Sequence, residues 1–494
     1  MTSEQDALDL VIIADVHYVD QADHICPIPK RNASLGSELI QRVRQRIQRR
    51  GLPDAIVLMG DLVDNGEAPG AEKDLSALKA KLEDIGVPIL VVPGNHDGDP
   101  ERLLHLFGDR PGLHEIKGYL LMTFADRYAP DDKAARSPEG LSLIREAASA
   151  HPDVPLLFFQ HNPIYPPVDS SYPYNLTNAP EVMASYAEHG VVLSVSGHLH
   201  GGSPLCFSDN VGYVTCPALC EDPFRFLRVR VRGHEVTVRE ESLKMPKTPP
   251  LVDTHVHTEY AYCASTVTAA GAIERAEKFG LAGITFTEHA GQLYVSSEDY
   301  WSGRFLNEPG LLRQARTEGR DRMRAYRAEM QALRSSFVRI GLEVECDRNG
   351  ELSLLDEDRE GWDLLSGAVH FLPEPFEGDA ERGFMALTEK LLQQKVAVLA
   401  HPFRFFRRNK MDIPRHLFRP MAHLLAKYGA AAEINFHTNE PDPDFFRCCI
   451  EEGVPIALGS DSHALYEVGE FAPNLDVLRQ AGAGERLEEV LFSS

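Results

Sequence analysis

Short, continuous apolar runs punctuate the first half of the chain. DLVIIA (9–14), DAIVLM (54–59), PILVV (88–92), PLLFF (155–159) and VVLSV (191–195) are rich in β-branched residues and lack polar alternation. Such runs predict strands covered on both faces, as in layered α/β folds. Helix-period segments fall between them, around 35–50, 71–85, 139–150 and 180–189. From about 205 to 241 the pattern turns to period-two alternation, clearest in FLRVRVRG and HEVTVREE, which predicts an antiparallel hairpin region. KMPKTPP (244–250) follows, with three Pro in seven residues. Proline continues neither a helix nor a central strand, so this stretch predicts a linker. It divides a first domain over 1–243 from a second over 251–494.

A second α/β alternation then begins: LVDTHVH, AGITFTEH, SFVRIGLEVE, DLLSGAVH, VAVLAH, AAEINF and VPIALGSDSH. Each run ends in an ionisable cluster, and helical patterns lie between most of them, including an Arg/Glu-rich one at 311–335. Ionisable residues at strand C-termini are where a β/α barrel places its active site.

Composition narrows the function. The 494 residues exceed one hydrophobic core, and 43% apolar with 25% charged residues excludes wholesale disorder. Acidic residues outnumber basic ones 74 to 50, a net charge of −24. That balance argues against gripping duplex nucleic acid, whose phosphates need clustered Lys and Arg. Together with 20 His, it supplies oxygen and nitrogen metal ligands in quantity. The N-terminal apolar run of about six residues is too short for a signal peptide. No run reaches the roughly 20 apolar residues of a membrane span. The eight Cys show no C-x-x-C spacing, so reduced thiols and a cytoplasmic location are expected.

Five clusters in the first half sit at strand ends: Asp15-x-His17, Gly60-Asp61-x-x-Asp64, Gly94-Asn95-His96-Asp97, His161-Asn162, and Gly197-His198-x-His200. Any one of them reads as an ordinary loop. Five in order, each directly after a hydrophobic strand, make coincidence improbable, and glycine beside the clusters permits close backbone approach. Together they resemble the calcineurin-like metallophosphoesterases over residues 8–241. The resemblance implies an α/β/β/α sandwich and a two-metal site. One metal is then held by Asp15, His17, Asp61 and His200, the other by Asp61, Asn95, His161 and His198, with Asp61 bridging. His96 matches the non-ligating catalytic histidine, and Asp64 reads as an orienter or loop cap. Two cations in such a site lower the pKa of a shared water and neutralise phosphoryl oxygens.

The second half repeats the logic with Asp253, His255, His257, Glu288, His289, Glu343, Glu345, His370, His401, Asp461 and His463. The ordered series D-x-H-x-H, T-E-H, G-x-E-x-E, isolated strand-end His and S-D-x-H resembles the PHP (polymerase and histidinol phosphatase) family over about 250–494. This implies a distorted (β/α)7 barrel with two or three metals. His255, His257, Glu345 and Asp461 then hold one, Glu345, His370 and His401 the second, and His289 and His463 belong to the third. Cys263 or Glu259 supplies a further ligand there; Cys263 favours a softer ion such as zinc, and a merely buried thiol is its other reading. Manganese, iron and zinc all suit the two ligand sets.

Phosphate also needs cationic donors. Arg404 and Arg407, just after His401-Pro402, are the candidates, because guanidinium contacts phosphate bidentately; Arg304 is a weaker one. The two resemblances imply a bifunctional phosphoesterase: the first domain opens a small phosphodiester, cyclic or nucleotide-like, and the second removes phosphate from the monoester. Two independent phosphatases, an oligonucleotide nuclease, or one catalytic half with a regulatory metal-binding half are the alternatives. The expected partner is a small phosphate ester, with neither duplex nucleic acid nor membrane, and no oligomeric state is assigned.

Overall fold

Leu8, Leu10 and Ile12 share one face of the strand Leu8–Ile13, Val11 and Ile13 the other, and all five are fully buried. Covering both faces is what makes the run continuously apolar. This strand lies at the centre of a five-stranded sheet, between Arg225–Arg232 on one side and Ala55–Leu58 on the other, with Glu235–Ser242 and Ile89–Val91 at the edges. A six-stranded sheet runs Ser203–Ser208, Val211–Thr215, Val191–Ser196, Leu156–Phe159, Tyr119–Thr123 and Gly112–Ile116. Leu10, Ile12 and Val57 of the first sheet pack against Leu157, Phe159 and Val195 of the second. Beyond the second sheet, Phe158 and Met122 pack with Ile144 and Tyr186 of the helices Pro138–Ala150 and Ala179–Glu188. The result is a helix–sheet–sheet–helix sandwich.

The computed structural model describes residues 7–20, 28, 30–109, 112–308, 310–373, 379–484 and 486–493, and the chain forms two units, Met1–Lys244 and Met245–Ser494. The alternating region at 205–241 comprises two hairpins in different sheets rather than one. A further hairpin, Gly112–Ile116 with Tyr119–Thr123, turns at Lys117-Gly118, where both residues have positive φ (51° and 76°).

In the second unit seven parallel strands pair in chain order: Val252–Val256, Gly283–His289, Val338–Val344, Leu364–Gly367, Val398–Leu399, Ala431–Ile434 and Ile456–Leu458. A parallel bridge between Val256 and Ser462, with Asp461 N donating to His255 O at 2.8 Å, links the first strand to the segment after the last. This closes the barrel beside its ionisable strand ends. The segment at 311–335 is two helices, Gly310–Thr317 and Met323–Leu333. The first ends at Gly319, whose φ is 68°, and Arg320 N bonds back to Ala315 O at 2.9 Å. No helix among the described residues is long and apolar enough to cross a membrane.

Candidate metal centres

In the first unit, Asp15 and His17 follow Leu8–Ile13, Asp61 follows Ala55–Leu58, and Asn95 follows Ile89–Val91. His161 follows Leu156–Phe159, and His198 and His200 follow Val191–Ser196. Asp15, His17, Asp61 and His198 take left-handed φ values of 53°, 47°, 52° and 65°, a region that side-chain-bearing residues seldom occupy except at functional turns. The reversal sends the side chains toward one another. His17 Nε2 lies 3.3 Å from His200 Nε2 and 3.6 Å from Asp61 Oδ2. His161 Nε2 is 3.3 Å from the same Asp61 oxygen, and His200 Nε2 is 3.5 Å from Asp15 Oδ1. Asp61 therefore touches both groups, Asp15–His17–His200 and His161–His198.

The donors fit divalent cations. Asp15 Oδ1, Asn95 Oδ1, His161 Nε2 and His198 Nε2 are buried atoms without a hydrogen-bond partner, a costly condition that a cation relieves. The rings are turned by their other nitrogens: His161 Nδ1 donates to Met59 O at 2.6 Å, and His200 Nδ1 pairs with Glu221 Oε1 at 2.6 Å. Such partners fix the tautomer that leaves Nε2 as a lone pair. Burial above all pushes the His198 pKa down to about 3, which keeps that ring neutral. Asp97 holds the Asp61 turn by accepting from the backbone N–H of Asp61 (2.8 Å), Leu62 (2.7 Å) and Gly94 (2.8 Å). A Cβ on Gly94 would strike the Asp61 carboxylate, so only glycine fits there.

The second unit repeats this arrangement at the barrel's strand ends. His255 Nδ1 pairs with Glu433 Oε1 (2.8 Å), His257 Nδ1 with Glu288 Oε1 (3.1 Å), and His370 Nδ1 with Glu345 Oε1 (3.0 Å). Their Nε2 atoms meet carboxylates instead. His257 Nε2 is 2.9 Å and His255 Nε2 3.7 Å from Asp461 Oδ1. Glu343 Oε1 lies 2.8 Å from His401 Nε2, 3.5 Å from His370 Nε2 and 3.7 Å from His255 Nε2. Its Oε2, 2.6 Å from His289 Nδ1, has no hydrogen-bond partner, and neither has His255 Nε2. Although burial opposes its charge, the rings of His370, His289 and His255 hold the Glu343 carboxyl well below the usual range. His257, His289 and His463 form another group of ligand type. These donors fit more than one cation as well.

A family model described as calcineurin-like phosphoesterase matches residues 8–202, and one described as PHP domain matches 253–437. A protein of Synechococcus sp. named as a probable cyclic nucleotide phosphodiesterase is 30% identical over 207 residues, 40% of this chain and 75% of that one. A cAMP/cGMP dual specificity phosphodiesterase of Mycobacterium tuberculosis is 26% identical over 215 residues, 42% of this chain and 64% of the relative. A probable phosphatase of Thermoanaerobacter sp. is 25% identical over 247 residues, 48% of this chain and 89% of its own. The chain belongs to the calcineurin-like phosphoesterases and carries a PHP domain behind that unit. It is a hydrolase of phosphate esters, and both families depend on divalent metals.

In the PHP half, four placements differ from the sequence expectations. Glu343, not Glu345, meets the inward-facing nitrogens. The strand ends at Val344, and beyond it Glu345 is drawn away from the cluster. Its Oε1 accepts from Tyr300 Oη at 2.7 Å and its Oε2 from Ser353 Oγ at 3.0 Å, so it grips His370 from behind. Arg407 pairs with Glu440 at the surface and is absent from the cavity lining, whereas Arg404 bonds Asp461 Oδ2 and sits 2.8 Å from His370 Nε2. Arg304 likewise pairs outward, with Asp299 and Glu308, both at 3.0 Å. Of the two further-ligand candidates, Glu259 caps a helix by accepting from Ala269 N at 2.9 Å, while Cys263 Sγ lies 3.7 Å from His289 Nε2. Burial, with Glu288 behind it, pushes the Cys263 thiol up to about 12. Asp253 secures the loop after the last strand, accepting from Ser460 N and Gly469 N at 3.0 Å each.

A cavity of about 200 Å³ opens onto the PHP cluster, lined by Cys263, His289, His370, Arg404, His437 and His463 among others. His437 stacks on His463 with ring centroids 4.3 Å apart. In the calcineurin-like half, His96 Nδ1 donates to Asp64 O at 2.7 Å, and Asp64 Oδ1 sits 3.4 Å from His17 Nδ1. Tyr172 and Tyr174 both pack on the His198 ring at 5.5 Å. Sequence reasoning missed Glu221 and Glu433, and it named Glu343 but gave the ligand role to Glu345. AAEINF carries the strand-end signal for Glu433, but Glu221 has no local pattern.

Proposed function

We propose that the calcineurin-like centre cleaves a small phosphodiester and that the PHP centre removes phosphate from the resulting monoester. The observation that carries the proposal is the pair of separate clusters, each built around one buried carboxylate, Asp61 in the first and Glu343 in the second. Relatives that act on cyclic nucleotides favour a cyclic diester. Opening one P–O bond of a ring leaves a single product that still carries its phosphate, and a phosphomonoesterase is what that product requires next.

Asp15, His17, Asp61 and His200 would hold one cation, and Asp61, Asn95, His161 and His198 the other. In the PHP half the ligands would be His255, His257, Glu343, His370, His401 and Asp461, with His289, His463 and Cys263 at a third position. Bound divalent cations supply charge neutralisation on the phosphoryl oxygens and an activated water. In its imidazolium form His96 would deliver the Nε2 proton to the departing alkoxide and keep the Nδ1 proton in its bond to Asp64 O, which sets the ring. Arg404, rigidly held between Asp461 and His370, orients the monoester phosphate in the second site.

The assay is hydrolysis of bis(4-nitrophenyl) phosphate and 4-nitrophenyl phosphate by the full chain. Both are expected to be cleaved after loading with manganese, and both rates to fall by at least about 10² after chelation, because the cations carry several kcal/mol of transition-state stabilisation. Activity on one ester class alone, or activity that survives chelation, would sink the reading.

A further inference from the structure

Arg316, Arg404, Arg407 and Arg419 all meet carboxylates, as expected on so acidic a chain. Arg408 is exposed and meets none among the described residues. Its guanidinium carbon lies instead 5.3 Å from the centroid of Trp301 and 5.8 Å from that of Phe371. Trp301 and Arg408 both line the cavity of about 200 Å³ that contains His289, His370, Arg404 and His463. Trp301 is 39% exposed, an indole left partly in water beside the cluster. A guanidinium laid over an aromatic face uses its own face for the contact and keeps its N–H edge available to an anion. Arg404 already serves the cluster through Asp461 and His370, so the two arginines, one helical turn apart, are not redundant.

We propose that Arg408, braced by Trp301, determines the specificity of the PHP centre by binding a second anionic group on the alcohol portion of the phosphomonoester. A phosphorylated acid or a bisphosphate is then preferred over a phosphorylated neutral alcohol, such as the monophosphate left by opening a simple cyclic nucleotide, which remains a slower substrate. This rests on the reading of the PHP centre as a phosphomonoesterase. It also gives the negative surface a role in selection: an anionic substrate is repelled by most of the chain and met beside the cluster by a cation that pairs with no carboxylate among the described residues.

Two matched pairs test it: 3-phosphoglycerate against glycerol 3-phosphate for a carboxylate, and propane-1,3-diol bisphosphate against its monophosphate for a second phosphate. Hydrolysis is measured on the manganese-loaded full chain, and binding on the chelated chain through tryptophan fluorescence. The wild type should favour the member with the second anionic group in at least one pair by roughly five- to tenfold, the contribution of one partly exposed charge-assisted contact. Arg408→Gln should bring that ratio close to one, chiefly through KM, and Arg408→Lys should restore part of it. The pair that responds identifies the anion. A wild type without preference in either pair, or a preference that Arg408→Gln retains, overturns the subsite. Preferential binding lost in Arg408→Gln, without hydrolysis of any of the four, would leave the subsite standing and remove the phosphomonoesterase reading.

Discussion

Asp61→Asn is expected to lower kcat/KM of the full chain for a phosphodiester by about 10³ or more, while 4-nitrophenyl phosphate hydrolysis by the PHP half persists. The substitution is nearly isosteric, and the turn it sits on is held through the backbone N–H groups of Asp61, Leu62 and Gly94 by Asp97, so the fold should survive. What changes is charge. Asp61 Oδ2 stands 3.6 Å from His17 Nε2 and 3.3 Å from His161 Nε2, the one carboxylate oxygen shared by both groups of donors. An amide there removes a negative charge and can turn an N–H pair toward a cation, forfeiting several kcal/mol of electrostatic stabilisation. Parallel loss of both activities in Asp61→Asn would contradict a division of labour between the halves.

Glu343→Gln should have the mirror effect, with phosphomonoester hydrolysis lost by about 10³ and phosphodiester cleavage retained. The informative comparison is with Glu345→Gln. Glu343 Oε1 is within 2.8 Å of His401 Nε2 and 3.5 Å of His370 Nε2, whereas Glu345 meets His370 through Nδ1, on the far side of that ring. A residue that orients a ligand from behind typically matters by about 10- to 100-fold. Glu345→Gln should therefore remain measurably active and keep most of its metal, as read by elemental analysis of the purified variants. The reverse ranking would return the bridging role to Glu345.

That pair also shows where the sequence stops being legible. The seven barrel strands and five of the sandwich's buried strands announce themselves, because covering both faces forces an unbroken apolar run; Tyr119–Thr123, equally buried, is among those the pattern does not bring out. The strand-end Asp and His residues are equally visible, since chemistry collects where strands stop. Glu343 and Glu345, however, have the same parity in one run that ends as a strand at Val344, and the tertiary contacts of Ser353 and Tyr300 with Glu345 separate their roles. Arg407 and Arg408 are adjacent on one short helix, and Glu440 decides which of them leaves the cavity. Of the carboxylates that orient His200 and His255, Glu221 and Glu433, Glu433 sits in a strand run that the pattern shows, but Glu221 has no local signature. The helical pattern at 311–335 read as one element because its charge pattern continues through Gly319, where a positive φ of 68° breaks the helix.

The account's central claim is that one phosphate ester passes through two chemistries on this chain, and phosphorus NMR of the manganese-loaded full chain acting on a cyclic nucleotide tests it most directly. The diester signal should decay into a monoester signal that rises, passes through a maximum and gives way to orthophosphate. In Glu343→Gln the reaction should halt at the monoester. A wild-type reaction that accumulates monoester in full yield without orthophosphate, or a Glu343→Gln protein that still releases orthophosphate at the wild-type rate, would contradict the serial scheme.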